Sequence, residues 1–289
     1  MAKRIFLFLL TNIAVVTTIS IILSLLGVRP GDGLVPLAIF CLIWGMGGAL
    51  ISLQISRWMA KRAMGVQLVD GNTGNADADW LYRTVERLAQ QANLPMPEVG
   101  IYNSPEVNAF ATGPSKKRSL VAVSTGILRA MRRNELEAVL GHEMSHIANG
   151  DMVTMTLLQG VMNAFVMFAA RVIASVVASQ SKSDRGSDGI YFVVRIVVEI
   201  VLGIAGSLVT AWFSRYREFR ADAGGAALAG SENMVAALQR LAEGSQGVDP
   251  RAPALASFKI SGAQGFMALF STHPPLEVRI ATLRQRRSN

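Results

Sequence analysis

Cysteine is almost absent from this sequence: Cys41 is the only one in 289 residues. It allows no intrachain disulfide, and its place inside an apolar run reads as that of a small buried hydrophobe. Histidine is nearly as scarce, with three residues. Charge is thin too. Asp, Glu, Lys and Arg make up 17% of the chain against 51% hydrophobic residues, a low charged share for a soluble globular protein. The net charge is +8, but a nucleic-acid binder would gather its Lys and Arg into a stripe with interleaved aromatics. Here many basic residues sit beside apolar runs, so no nucleic acid is expected as a partner and a lipid bilayer is. Internal repeats and low-complexity tracts are also lacking.

What is present is four long apolar runs. Residues 5–27 carry no charge and are long enough, at about 1.5 Å per residue, to cross a ~30 Å hydrocarbon core. Lys3 and Arg4 precede them, which also suits a cleavable signal peptide. The run is too long for a signal h-region and no clean small-x-small cleavage site follows it, so a retained anchor is expected. Residues 34–55 form the second run, joined to the first by a short Pro- and Gly-containing turn, and the pair reads as a transmembrane hairpin. The third run is residues 152–177 and the fourth residues 190–213. Arg171 falls in the third. Arg195 and Glu199, four residues apart and so on one helical face, fall in the fourth. Charges at such depth must be paired or turned toward protein or water, which makes the fourth run the least secure span. Residues 181–189 between the last two runs are polar and read as a loop.

Basic residues cluster at one set of run ends: Lys3 and Arg4, then Arg57, Lys61 and Arg62, then Arg215, Arg217 and Arg220. The opposite loops hold only Arg29, Lys182 and Arg185. The positive-inside rule therefore puts both termini and the two polar segments, residues 56–151 and 214–289, in the cytoplasm. Within the first segment, residues 79–92 have helical periodicity with Leu81, Val85 and Leu88 on one side. Residues 99–102, 109–112 and 120–124 read as short strands, separated by turn signals at Asn103-Ser104-Pro105 and Gly113-Pro114-Ser115. Asn134 and Glu137 resemble a capping box that opens the next helix. Residues 233–241 and 276–287 in the second segment read as amphipathic helices.

The helix opened near Asn134 runs into His142-Glu143-Met144-Ser145-His146, an H-E-x-x-H motif. Positions i and i+4 share one helix face, so both imidazoles can reach one tetrahedral ion. Glu143, offset by one residue, is placed to take a proton from a metal-activated water. A catalytic zinc site usually has three protein ligands and an open position. Without a second cysteine, a carboxylate is the natural third. Glu218 and Asp222 are also four apart, so that one can bind metal while the other receives the free N–H of a ligating histidine. His146 lies just before the third run and Glu218 just after the fourth. If those runs pack as antiparallel neighbours, both ligands arrive at the same membrane face.

Taken together, Asn108-Ala109-Phe110-Ala111-Thr112-Gly113, Leu140-Gly141-His142-Glu143-Met144-Ser145-His146, Glu218 with Asp222, Gly224 and Gly225, and Thr272-His273-Pro274-Pro275 resemble the HtpX family of membrane zinc proteases, relatives of the CAAX-prenyl endoproteases. The resemblance covers nearly the whole chain. It implies one zinc ion per chain held by His142, His146 and Glu218, with Glu143 as catalytic base and Asp222 orienting a ligating histidine. It also implies that Asn108 and Ala109 lie on an edge strand that pairs with substrate backbone, a mode suited to broad specificity. His273 is a candidate for stabilising the tetrahedral oxyanion, or else it starts a helix capped by Thr272. Arg279 is a weaker candidate for that role and otherwise a solvated basic residue.

The expected molecule is a mainly α membrane protein. Four transmembrane helices would carry a cytosolic zincin-like α+β metalloprotease domain, built from residues 56–151 and 214–289. It would sit in a bacterial-type cytoplasmic membrane with its active site inward, and the family resemblance implies the task of cutting misfolded or damaged membrane proteins. The rival functions are a non-proteolytic zinc hydrolase and a transporter. The latter lacks inverted repeats and leaves the H-E-x-x-H unexplained.

Overall fold

A computed structural model describes residues 33–180, 187–246 and 271–288. The first apolar run, residues 5–27, lies outside the described residues. The chain divides into two compact units, one of residues 1–51 and 156–210 and the other of residues 52–155 and 211–289.

The first unit is helical among its described residues. It draws on α1 (Leu34–Met64), α5 (Asp151–Ser179) and α6 (Ser187–Ala229). Three stretches of these helices, Pro36–Met64, Asp151–Ser179 and Asp188–Ala229, are long and apolar enough to cross a membrane. Their large side chains face outward: Ile43, Phe165, Val197 and Ile200 are all exposed, as expected of a surface that meets lipid rather than water. Small residues let the helices approach. A Cβ on Gly45 would lie 2.4 Å from the Ala164 backbone nitrogen, so only glycine allows α1 and α5 to pack there. The charges inside the runs find one another. Arg171 is buried, donates to the Met167 carbonyl at 2.9 Å and lies 3.4 Å from Glu199 Oε1, with Arg195 Nε 4.0 Å from the same oxygen. The polar stretch between the last two runs is shorter than expected, because Ser187 already begins α6.

The second unit holds a four-stranded sheet in the order β1-β2-β4-β3, from β1 (Gln67–Val69), β2 (Glu98–Tyr102), β3 (Ala109–Ser115) and β4 (Arg118–Ser124). The β2 and β4 strands run parallel, and the other pairs antiparallel. β3 is an edge strand among the described residues. Between β1 and β2 comes α2 (Ala76–Gln91), capped by the Asn75 side chain on the Asp77 and Ala78 N–H groups; this is the usual remedy for orphan N–H groups at a helix start. The short α3 (Thr125–Ala130) follows β4, and α4 (Arg133–Asn149) carries the H-E-x-x-H. The remaining helices are α7 (Ser231–Gln246) and α8 (Leu276–Ser288). One apolar core joins Leu81, Val85 and Leu88 of α2, Val121 and Val123 of β4, Leu140, Met144 and Ile147 of α4, and Leu238 of α7.

Three local expectations are corrected. The start of α4 lies two residues earlier than Asn134: the Glu135 carboxylate accepts from the Arg132 N–H at 2.8 Å, so Glu135, not Glu137, is the third helical residue. Asn134 instead donates to Asn233 at 2.9 Å, and Glu137 pairs with Arg87 at 2.9 Å. The Gly113-Pro114-Ser115 signal marks no turn. It is a bulge inside β3, where the ladder shifts between Thr112 and Ser115 and Gly113 has φ 139°. The hairpin turns at Lys116 and Lys117. β1, only three residues long and largely exposed, offers too short a pattern to be read from the sequence.

Candidate metal centre

The α4 helix stays regular through His142 and His146 and ends at Gly150, whose left-handed φ 69°, ψ 29° closes it. Three residues named from the sequence converge. Ring and carboxylate atoms of His142, His146 and Glu218 lie within 4.8 Å of one another, and all three residues are buried. The two Nε2 atoms face each other at 3.1 Å. Glu218 Oε2 is 3.6 Å from His142 Nε2, and Oε1 is 3.4 Å from His146 Nε2.

Each of the other ring nitrogens has a carboxylate beside it. His142 Nδ1 contacts Asp222 Oδ1 at 2.9 Å, and His146 Nδ1 contacts Asp151 Oδ2 at 2.5 Å. Carboxylates beside both Nδ1 atoms favour protons there, which frees both Nε2 lone pairs. Two such lone pairs and a carboxylate, aimed at one point away from water, form a donor set that calls for a cation. This composition of nitrogen and oxygen ligands fits a divalent metal.

The electrostatics agree. Burial by itself would lower the pKa of both imidazoles, yet both are raised. For His142 the Asp222 and Glu218 carboxylates outweigh burial; for His146 Asp151 and Glu218 do so, pushing it up to about 9. The site attracts positive charge strongly enough to hold protons on groups that would ordinarily lose them.

Around this core, Arg279 is buried rather than solvated. Its guanidinium grips both oxygens of Asp222, Nε to Oδ2 at 2.8 Å and Nη2 to Oδ1 at 2.5 Å, while Nη1 lies 3.6 Å from Glu218 Oε2. His273 is 58% exposed by its side chain, and its Nδ1 lies 2.9 Å from Glu218 Oε2; it reaches the carboxylate, not a separate position. Glu143 is half-buried, one residue along α4 from His142. Gly224 and Gly225 let α6 lie against α4. A Cβ on Gly225 would come within 2.9 Å of the His142 backbone nitrogen, and one on Gly224 within 2.3 Å of Ser145 Oγ.

Asn108 accepts from the Ser124 N–H at 2.9 Å and donates its own N–H to Ser124 Oγ at 3.2 Å. Ala109 opens β3, which packs alongside α4. Because residue 108 bonds toward β4, the alternation of an antiparallel ladder turns the N–H and C=O groups of Ala109 and Ala111 outward.

The sequence reading missed Asp151. Its signal is slight: an acidic residue directly after the glycine that ends the motif helix. Arg279 was noticed, but its burial was not foreseen.

Comparison with known proteins agrees with this geometry. Residues 75–287 match the model of peptidase family M48. The chain is 50% identical over 289 residues to Protease HtpX of Idiomarina loihiensis, covering 99% of this chain and 100% of that one. It is 53% identical over 290 residues to a Protease HtpX homolog of Thiobacillus denitrificans, covering 98% and 99%. With Protease HtpX of Pasteurella multocida the identity is 53% over 283 residues, covering 98% of each. The crystal structure of S. mikatae Ste24p superposes with a TM-score of 0.64 at 19% identity, covering 98% of this chain and 65% of that one, a likeness of fold. A family match over most of the chain, near-full-length relatives and a buried His-His-Glu cluster lead to one conclusion: the chain belongs to peptidase family M48, among the HtpX proteases, and is a metalloprotease.

Proposed function

We propose that this protease is a zinc endopeptidase of a bacterial-type cytoplasmic membrane, with its active site facing the cytoplasm and misfolded or damaged membrane proteins as substrates. The observation that carries the reading is the meeting of His142 Nε2, His146 Nε2 and Glu218, with carboxylates behind both imidazoles. His142, His146 and Glu218 would hold one zinc ion, which supplies a Lewis acid for a peptide carbonyl and lowers the pKa of water.

The chain's own residues do the rest. Glu143, offset by one position from the ligand vector, takes the proton of the attacking water and returns it to the leaving amine nitrogen. Asp222, itself clamped by Arg279, holds the His142 ring in place. The outward N–H and C=O groups of Ala109 and Ala111, following Asn108 at the free edge of β3, pair with an extended substrate. His273 beside Glu218 is placed to donate to an oxyanion once a substrate carbonyl draws it there. Residues 56–151 and 214–289 supply this machinery, and the apolar runs anchor it, with basic residues at their ends setting the inward orientation.

A Glu143→Gln variant tests the reading. Its zinc content is expected to match that of the unmutated protein, while cleavage of casein and of an unfolded membrane protein in detergent falls by about 10²–10⁴-fold. Undiminished cleavage would sink the assignment.

A further inference from the structure

His146 Nδ1 has two neighbours of opposite chemistry. Asp151 Oδ2, an acceptor, lies at 2.5 Å, and Arg217 Nη1, an obligate donor, at 3.5 Å. A neutral imidazole carries one proton, on one nitrogen or the other. If Asp151 prevails, the proton sits on Nδ1 and the Nε2 lone pair is free. If Arg217 prevails, Nδ1 accepts, the proton moves to Nε2, and the ring cannot ligate. We infer that Asp151 is a positioning residue that locks His146 in its metal-competent tautomer against the pull of Arg217.

Several features support this. Asp151 is buried, 3% exposed, where a carboxylate needs a strong partner. Both neighbours are charged, but the carboxylate contact is shorter by a full ångström. Backbone geometry delivers it: Gly150, left-handed, ends α4 with its N–H on the Ile147 carbonyl at 3.1 Å, and Asp151 opens α5 on the very next residue. The carboxylate thus comes back over the helix it follows. Arg217 is held in reach by Ser214, whose Oγ accepts from Nη2 at 3.3 Å. The two imidazoles then share one arrangement, Asp222 behind His142 and Asp151 behind His146.

The inference rests on the proposed role of His146 as a zinc ligand, so the experiment separates the two. Zinc affinity of the metal-stripped, detergent-solubilised full chain is measured by competition with a chromophoric chelator for the unmutated protein, D151A, R217M and D151A/R217M. D151A is expected to bind about 10–100-fold more weakly, the usual cost of losing a carboxylate behind a ligating histidine. R217M also removes a cation 3.9 Å from Glu218 Oε1 and is expected to tighten binding slightly by itself; in the D151A background it should tighten binding by far more, regaining most of the loss. A carboxylate that merely stabilised the fold would show no such rescue. D151A affinity within about twofold of the unmutated chain, or a double variant no better than D151A, overturns the inference alone. An unmutated chain that binds no zinc overturns the proposed function and this inference with it. If D151A loses its helical circular dichroism, the same cycle is run on D151N, and failure of R217M to tighten binding there counts against the tautomer lock. A ¹⁵N-histidine spectrum of the metal-free chain at a pH above about 9, where the ring is neutral, gives a readout independent of affinity: the His146 proton should sit on Nδ1 in the unmutated protein and shift toward Nε2 in D151A.

Discussion

Protons and metal compete for the same nitrogens at His142 and His146. With His146 held near 9 and His142 also raised, against about 6.5 for an unfolded imidazole, the metal-free fold gains stability from protonation. That gain is complete below pH ~6.5 and fades as pH rises through about 9. Metal binding must discharge these protons. Titration calorimetry at pH 7 in buffers of different ionisation heat should therefore show release of about one to two protons per zinc, falling toward zero above pH 9; a heat that does not depend on buffer would contradict the site's electrostatics. The convergence of the two histidines could be read from sequence because a helix converts spacing into direction. Asp151 could not. Its contact with His146 spans five residues and crosses a helix end, so it depends on the left-handed turn at Gly150. Arg279 was misjudged because a basic residue on a short amphipathic helix usually faces water, and nothing local reveals that Asp222 waits for it.

At the scale of elements, two surfaces decide whether the site forms and works. The first is the α4–α6 contact. A methyl at Gly225 would strike the His142 backbone, whereas one at Gly224 meets the Ser145 side chain, which can move. Gly225→Ala should cost about 1–3 kcal/mol by overpacking and weaken zinc binding by drawing Glu218 away from the histidines. Gly224→Ala should be milder in both respects. Denaturant melts and metal titration on the two variants check this order, and the reverse ranking would count against the packing account. The second surface is the free edge of β3. Ala111→Pro removes an outward N–H without touching the β4 ladder. It should raise KM several-fold for protein substrates while leaving zinc content alone; unchanged KM would mean that substrate docks elsewhere. Helices α2, α7 and α8 and strands β2 to β4 were legible from apolar period and turn chemistry. The start of α4 was not, since Asn134 and Glu137 offered a plausible cap two residues late, and both are drawn off by tertiary partners, Asn233 and Arg87. Gly113-Pro114 misled because the same residues serve a bulge as readily as a turn.

Across the whole molecule, charge and hydropathy together imply an orientation. Reporter fusions at Ser183 and Asn289 should place the first outside the cytoplasm and the second inside; a cytoplasmic Ser183 would refute the arrangement of spans. Three of the four apolar runs are legible as long helices, and the sequence understates them because propensity carries α6 past Phe213 to Ala229 without a break. On the proposed ligand set a metal would tie residues from separate parts of the chain, so chelation should lower the melting temperature, by an amount that tracks free zinc as linkage requires. That separation also has a meaning in time. About 70 residues part His146 from Glu218, and Arg279 comes some 60 later; at roughly 5–20 residues per second of synthesis, the first half of the site waits several seconds for the second. During that interval the nascent chain carries Glu143 and two imidazoles but not the third proposed ligand. If His142, His146 and Glu218 hold the metal as proposed, the order of synthesis alone keeps the chain from cutting until Glu218 has been made.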